Sequence, residues 1–260
     1  MGYTVFMNID FTKGIQPLVT GFLSQDDITI SVKESNLVLP KKIEQEIQDR
    51  WSTKKKEAEE KDLHLFNGTS YRLNTYSYQN NVLNLELSIF DYKHRYGLVL
   101  MTRENVIDQS LYRHNGLFVG STVKTADNRY VMVKLSGKST NPNKYDVLGG
   151  MAETDVECTS GKYIFDVLYK EFEEEAGIAR EEVSKCDLRT IYIAQNGHIG
   201  FYFETELAVT SRDLQKRFEG NTDIDIDSLC FYEKEEYLDI LRNQNDSKRM
   251  MADFIEGIIE

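Results

Sequence analysis

Four glutamates lie within five positions of the segment KEFEEEAGI, residues 170–178. On an α-helix, Glu171, Glu174 and Glu175 stand at positions i, i+3 and i+4 and share one face, whereas Glu173 points elsewhere. Like charges at this spacing destabilise a helix by roughly tenths of a kcal/mol per pair, and a divalent cation would reverse that effect. Mg²⁺ prefers oxygen ligands such as carboxylates. The segment is therefore either the solvated end of an acidic helix or a carboxylate set for a metal ion.

The residues around these glutamates predict a strand, a glycine pair and a helix. The sequence YDVLGG, residues 145–150, indicates a short strand that ends in Gly149 and Gly150, where a backbone carbonyl could turn toward the same metal. A helix is predicted over about 162–176, and Gly177 is typical of a left-handed C-terminal cap. Three residues build the apolar face of this helix: Phe165, Leu168 and Phe172.

This arrangement resembles the signature of the Nudix hydrolases, G-x5-E-x7-R-E-U-x-E-E-x-G-U, in which U is apolar. The second half of the signature is matched by Glu171, Phe172, Glu174, Glu175, Gly177 and Ile178. Residue types, spacing and the strand, loop and helix around them all agree. The resemblance implies a Nudix α/β/α sandwich with a mixed sheet over residues 113–260. It also implies a smaller α+β domain before it, over 1–112, which would recognise the nucleotide base.

The sequence departs from the signature at two places. Lys170 stands where the family has an arginine that helps to orient the glutamates; lysine keeps the charge and lacks the bidentate fork. The loop after Gly150 is six residues longer than in the signature, so that Lys162 occupies the position of the first glutamate. Glu153 and Glu157 of the longer loop are two substitutes between which the sequence does not decide.

The resemblance also implies a reaction, in which water attacks a phosphorus of a nucleoside diphosphate linked to another group. Mg²⁺, with Mn²⁺ as a second option, would neutralise the developing charge. Glu171, Glu174 and Glu175 would be the metal ligands and the catalytic residues, and Glu174 or Glu175 would position the water. A carbonyl of Gly149 or Gly150 would add a ligand, and Lys170 would support the set.

Outside the signature, over roughly residues 40–240, the chain resembles the UDP-sugar diphosphatase branch of the same family. The likeness rests on a helix that carries Trp51, on the turn FNGTSYR over 66–72 and on IAQN over 193–196. It implies hydrolysis of UDP-glucose or UDP-galactose to UMP and a sugar 1-phosphate. The alternatives are ADP-ribose, a dinucleoside polyphosphate or a nucleotide cap as substrate, and a non-catalytic Nudix-fold module that binds a nucleotide.

Substrate contacts are predicted outside the signature. Phe66, Tyr71 and Arg72 offer an aromatic surface and a phosphate-binding fork, or else a packed strand pair with a surface arginine. Asn196 either reaches the substrate or forms an Asn-Gly turn, and Arg113 is a further phosphate contact. The other polar residues, His64, His94, His114, His198, Glu204 and Glu206, favour ordinary structural positions.

Composition bounds the function. The net charge is −12, so the surface repels phosphate backbones and nucleic-acid binding is not expected. No apolar run approaches the ~20 residues that cross a bilayer, and the N-terminus lacks the pattern of a secretory signal. Three cysteines without paired spacing fit a reducing, cytoplasmic compartment. The partner expected is a small-molecule nucleotide sugar, and the oligomeric state stays open.

Apolar periodicity gives the remaining elements. Strands are predicted over 3–11, 27–39, 64–78, 82–92, 188–195 and 200–209, with a hairpin over 116–136 that turns at Asp127-Asn128. Helices are predicted over about 40–61, 211–218, 233–243 and 247–259. The segment 96–112 is read as a short helix or an irregular connection.

Overall fold

The computed structural model describes residues 14–63, 65–139, 142–219, 225–244 and 246–257. The strands are β1 (Gln16–Leu23), β2 (Ile28–Val32), β3 (Thr69–Gln79), β4 (Val82–Asp91), β5 (Leu117–Lys124), β6 (Tyr130–Leu135), β7 (Tyr145–Asp146), β8 (Val183–Ile193), β9 (Ile199–Leu207) and β10 (Ile226–Tyr232). The helices are α1 (Lys41–Glu60), α2 (Tyr92–Arg103), α3 (Lys162–Ala176), α4 (Ser211–Phe218), α5 (Lys234–Arg242) and α6 (Asp246–Glu256).

The larger sheet of the described residues has seven strands in the order β1-β8-β9-β5-β6-β10, with β7 paired to β6. Strands β5 and β9 run parallel, from the pair Leu117–Ile199 to the pair Lys124–Glu206, and the other pairings are antiparallel. The sheet is therefore mixed, with the parallel pair in its middle.

The two faces of this sheet are covered by different helices. Alternate residues of β5 and β9, among them Val119 and Phe203, pack with Leu168 of α3 on one face. On the other face Tyr202 of β9 packs with Tyr237 of α5 and with α6. This arrangement of helix, mixed sheet and helix confirms the predicted α/β/α class.

The smaller sheet has three strands in the order β2-β4-β3, in which β2 and β4 are parallel. Its inner side chains, such as Leu73 and Leu85, belong to the same buried cluster as the inner residues of the larger sheet. On its other side, Ile47 of α1 and Leu98 of α2 pack with Phe90. This sheet with its two helices is the smaller α+β unit expected before the sandwich.

Most of the predicted elements are confirmed. The helix predicted over 162–176 coincides with α3, and the hairpin over 116–136 is formed by β5 and β6. The undecided segment 96–112 begins inside α2 and is irregular after Arg103. Strands β1 and β10 were not predicted. The strand predicted over 3–11 lies outside the described residues.

The domain boundary at 112/113 stays a prediction, and two features of the structure cross it. Strand β1 pairs with β8 from Gln16–Ile193 to Leu23–Leu188, so the first half of the chain contributes an edge strand to the larger sheet. The two sheets also share one buried cluster.

No helix within the described ranges has the length and apolar character that crossing a membrane requires.

Candidate active site

The glycine pair lies beside the central strand β5. Segment 148–151 forms bridges from Leu148 to Ser121 and from Met151 to Phe118, and the Val119 N–H donates to the Gly150 carbonyl at 2.9 Å. Gly149 has φ +144°, and a Cβ there would lie 2.2 Å from the Val119 carbonyl oxygen. Only glycine fits this backbone.

Helix α3 presents its glutamates to this glycine pair. A Cβ on Gly150 would lie 2.3 Å from Oε1 and 2.5 Å from Oε2 of Glu171, so the carboxylate fills the space that a side chain would need. The Gly149 N–H donates to Oε2 of Glu175 at 2.9 Å. The helix ends at Gly177, which has φ 63° and donates to the Glu173 carbonyl, as the predicted left-handed cap does.

The carboxyl group of Glu171 has no hydrogen-bond or ion-pair partner among the described residues. The residue is half-buried. Burial, and next the charge of Glu174, raise the pKa of Glu171 to about 8 against the partial opposition of Lys170. A cation at this point would hold the carboxylate in its charged form.

Lys170 contacts acidic residues of the long loop. Its Nζ lies 2.6 Å from Oδ2 of Asp155, 3.6 Å from Oε2 of Glu153 and 3.8 Å from Oε2 of Glu174. These contacts raise the pKa of Lys170 although burial acts in the opposite direction. Lysine therefore binds one of the three glutamates and the loop together. Asp155 was not among the predicted residues, because nothing in its local spacing distinguishes it from other loop carboxylates.

The other residues considered for the first glutamate of the signature lie apart from this contact. Lys162 forms an ion pair with Asp166 one turn along α3, and Glu157 is exposed. Glu153 is the loop glutamate that the fold brings to Lys170, and its carbonyl accepts a hydrogen bond from the Tyr163 hydroxyl at 2.8 Å.

The donor types of this set are those that a hard divalent cation prefers. Glu171, Glu174 and Glu175 offer carboxylate oxygens from one helix face, and Glu171 has no ion-pair partner among the described residues, beside a glycine that leaves room for it. The carboxylates are not drawn to one point: within the described ranges no group of three or more His, Cys, Asp or Glu side chains is placed to hold a metal ion. Glu175 bonds the Gly149 N–H, and Glu174 faces Lys170.

The predicted phosphate fork of Arg72 is enclosed by protein oxygens. Its side chain is 2% exposed, and it donates to the His114 carbonyl at 3.1 Å and to Oδ1 of Asn74 at 2.8 Å. Ser35, Asn36 and the Arg113 carbonyl accept further hydrogen bonds. Burial lowers the pKa of Arg72 to about 10. A substrate role for Arg72 stays a prediction, beside a structural role that these contacts define.

The neighbouring predicted contacts divide between core and surface. Tyr71 is buried, with its ring 5.2 Å from that of Tyr163 in an edge-on contact, which is the packed-strand alternative. Phe66 is 58% exposed at the turn before β3. Arg113 is half-buried, and burial lowers its pKa. The structure does not gather these side chains around the glycine pair, so their contact with a substrate stays a prediction.

Asn196 lies in the turn between β8 and β9. Its Oδ1 accepts from the His198 N–H at 3.2 Å, and its carbonyl accepts from Nε2 of His114 at 2.8 Å. Gly197 follows with φ 88°, so the Asn-Gly turn is present. On β9, Glu204 forms an ion pair with Arg189, and Glu206 lies 3.2 Å from Lys124.

No family model matches the chain, and no curated protein does. Similar solved structures include a protein of Deinococcus radiodurans, 14% identical over 59% of this chain and 88% of that chain, with a TM-score of 0.42. A Nudix hydrolase from Nitrosomonas europaea is 16% identical over 55% of this chain and 90% of its own, with a TM-score of 0.36. A C. elegans Ap4A hydrolase is 14% identical over 55% and 98%, with a TM-score of 0.34. Likeness of this degree carries no conclusion about activity.

Proposed function

We propose that this chain is a divalent-metal-dependent hydrolase of the Nudix type that cleaves the diphosphate of a nucleoside diphosphate derivative. One observation carries the proposal: the half-buried, unpaired Glu171 carboxylate stands against Gly150, on the helix face that also bears Glu174 and Glu175. These residues match the second half of the Nudix signature. An ordinary acidic helix end would place its carboxylates in solvent.

Each residue then has a chemical task. Glu171, Glu174 and Glu175 would hold Mg²⁺ or Mn²⁺, which supplies positive charge to the phosphate oxygens when bound. Glu174 or Glu175 would orient the attacking water and take its proton. The water oxygen forms the new bond to phosphorus while the bridging P–O bond breaks, and the bridging oxygen leaves with one of the two phosphate groups. Lys170 would restrain Glu174 and the loop, and the glycine pair gives the site its room.

For the substrate we propose a UDP-sugar, UDP-glucose or UDP-galactose, which would yield UMP and a sugar 1-phosphate. The support is the resemblance of the Trp51 helix, the FNGTSYR turn and the IAQN segment to the UDP-sugar branch. The residues before 113 would recognise the base, as a unit built around the smaller sheet. A cytoplasmic location accompanies the proposal, and Cys158, Cys186 and Cys230 are free thiols.

The test is a substrate panel with Mg²⁺ that compares UDP-glucose, UDP-galactose and ADP-ribose and measures the nucleoside monophosphate released. The parent chain should release UMP from the UDP-sugars. Glu174→Gln, which keeps the shape and removes the charge, should lower turnover at least ~100-fold with an unchanged circular dichroism spectrum. Glu173→Gln is the matched control, because Glu173 is exposed and points away from the other three.

The outcomes separate the alternatives. Full turnover by folded Glu174→Gln would refute the proposed site. AMP from ADP-ribose without UMP from the UDP-sugars would keep the chemistry and change the substrate. Nucleotide binding with no product from any substrate would favour the non-catalytic module.

A further inference from the structure

Arg95 lies where α2 meets the larger sheet, and its charge lacks an oxygen partner. Its Nη1 lies 3.1 Å from Nε2 of His198 and 3.5 Å from Sδ of Met151, and its guanidinium stacks 4.6 Å from the centre of the Tyr92 ring. A guanidinium has five N–H donors. Within the described residues, the Nε and Nη2 donors have no acceptor, and no carboxylate forms an ion pair with Arg95.

Arg72 shows the contacts of an arginine whose hydrogen-bond donors are satisfied by the protein. The Arg72 guanidinium donates to five different residues, all through oxygen atoms. Arg95 instead meets a thioether, a ring face and an imidazole nitrogen, which are weak or uncharged partners. The chain has 43 acidic and 31 basic residues, so a half-buried arginine without a carboxylate is not explained by a shortage of acids.

The groups around Arg95 do not supply the missing negative charge. Burial lowers the pKa of His198 well below its usual value, so its Nε2 accepts a hydrogen bond as a neutral imidazole. Burial, and next the charge of Arg95, also lower the pKa of His114 to about 3. The two imidazoles lie edge to face at 4.8 Å, and the Phe118 ring stacks on His198 at 6.4 Å. The guanidinium is thus framed by neutral, flat side chains.

We propose that Arg95, framed by His198, Phe118 and Met151, forms an oxyanion subsite that binds a phosphate group of a nucleotide. A phosphate would accept from the open Nε and Nη2 edge in the bidentate manner that arginine favours. All four residues are half-buried, so each keeps some surface exposed to solvent. The choice of a nucleotide as the ligand rests on the proposed function. The inference that the subsite binds an oxyanion does not depend on that function.

The subsite is joined to the candidate metal site through consecutive residues. Gly150 is the residue against which Glu171 stands, and Met151, the next residue, contacts Arg95. At Gly150 the segment 148–151 therefore meets the carboxylate of Glu171, and at Met151 it meets the guanidinium of Arg95, so the two sites are separate and adjoin at this segment. Arg95 would therefore bind a part of the ligand away from the bond that breaks.

The test is calorimetric titration in EDTA, without a divalent metal, of UMP, inorganic phosphate and uridine. The proteins are the parent chain, Arg95→Gln, Arg95→Lys and the control Arg212→Gln, which removes the same charge from an exposed position of α4. Arg95→Gln should weaken the binding of UMP about tenfold or more, because one charge-assisted contact is lost. Arg95→Lys should weaken UMP binding less. Uridine affinity should not change, and Arg212→Gln should match the parent.

Thermal unfolding of each variant separates binding from folding. Should Arg95→Gln not fold, Arg95→Lys decides the matter, since it keeps the charge and loses the fork. Equal UMP affinity of the parent and a folded Arg95 variant, or no binding of UMP and phosphate by the parent, would overturn the subsite. Arg95-dependent UMP binding in a protein without hydrolysis would support the subsite while refuting the enzyme. Hydrolysis with the same kinetic constants in the parent chain and the Arg95 variants would support the enzyme while refuting the subsite. In an active enzyme, Arg95→Gln should raise KM and leave kcat nearly unchanged, because it contacts a part of the ligand that does not react.

Discussion

At the scale of single residues, the partners of an ionisable side chain indicate whether it stabilises the fold or is available to bind a ligand. Burial opposes the charged form of Glu171 and of Arg95, and neither side chain forms an ion pair within the described ranges. His94 has the opposite surroundings: Asp91 hydrogen-bonds Nδ1, and Oε2 of Glu44 lies 3.0 Å from Nε2. Sequence reasoning located Glu171 through its spacing. No sequence motif distinguishes Arg95 from the other basic residues of α2, and only the fold reveals that its partners are not oxygens.

His94 should make stability depend on pH. The hydrogen bond to Asp91, which raises the pKa of His94 against the effect of burial, favours the imidazolium in the folded state. Because the pKa of His94 is higher in the folded state, protonation of His94 stabilises the fold. This contribution is fully present below the pKa of the unfolded state, 6.5, and is lost as the pH rises through the pKa of the folded state. His94→Gln should therefore lower the free energy of unfolding by about 1 kcal/mol more at pH ~5.5 than at pH ~9.5, measured by urea titration.

The double variant Asp91→Asn/His94→Gln provides the reference. Against Asp91→Asn alone, the second change should show a smaller pH dependence, since the larger contact that raises the pKa of His94 is gone and only that of Glu44 remains. A pH-independent difference between the parent chain and His94→Gln would contradict the prediction.

At the scale of elements, the long loop between the glycine pair and α3 is fastened at two points. The Tyr71 N–H donates to the Ala152 carbonyl at 2.8 Å, and the hydroxyls of Thr69 and Thr154 lie 2.6 Å apart, which fixes the loop to β3. Beyond these residues, Asp155 is held by Lys170 of α3. The lysine thus restrains the extra residues of the loop, a task that the sequence could not assign to it.

Lys170→Met should loosen residues 155–160 while the fold persists. A partly exposed ion pair contributes about 1 kcal/mol or less, so the free energy of unfolding should fall by no more than that. Amide hydrogen exchange of 155–160 should become faster. In the parent chain, local opening of this segment has to break the contact between Lys170 and Asp155, and in the variant that contact is absent. Lys162→Met is the control on the same helix, since its ion pair with Asp166 lies within α3. Unchanged exchange in Lys170→Met, or an equal increase in Lys162→Met, would contradict this account.

Elements with local signals were predictable, and those defined by distant pairing were not. Helix α3 has a regular apolar face and a glycine cap, and its predicted bounds were right. Strand β10, IDSLCFY, lacks clean alternation, and it acquires its role by pairing with β6 from Ile226–Leu135 to Tyr232–Tyr130. Strand β1 is defined in the same way by β8. The order of strands in the sheet, and with it the meeting of Arg95 and Met151, depends on contacts that no local pattern encodes.

At the scale of the whole molecule, the packing joins the two predicted domains. One buried cluster runs from Leu73 and Leu85 of the smaller sheet through Tyr163 of α3 to Phe203 of the larger sheet. Strand β1 adds a backbone ladder that leads from the first half of the chain into the second. This shared apolar surface is costly to expose, because apolar area buried on folding supplies most of the stability. The expected result is one cooperative unit, in which the predicted substrate contacts of both halves would keep a fixed geometry.

Trp51 makes this expectation measurable in the intact chain. It is the single tryptophan, and its ring packs in α1 at 5.8 Å from Tyr92 and 6.2 Å from Tyr96, within the smaller unit. Its fluorescence therefore reports that unit, whereas far-ultraviolet circular dichroism reports every helix and strand. Urea unfolding followed by the two signals should give coincident transitions with one midpoint and one slope. The variant Leu73→Ala, which opens a cavity in the shared cluster, should shift both midpoints together to lower urea. Transitions that separate in the parent chain, or a variant that moves the tryptophan signal alone, would show that the two halves unfold independently.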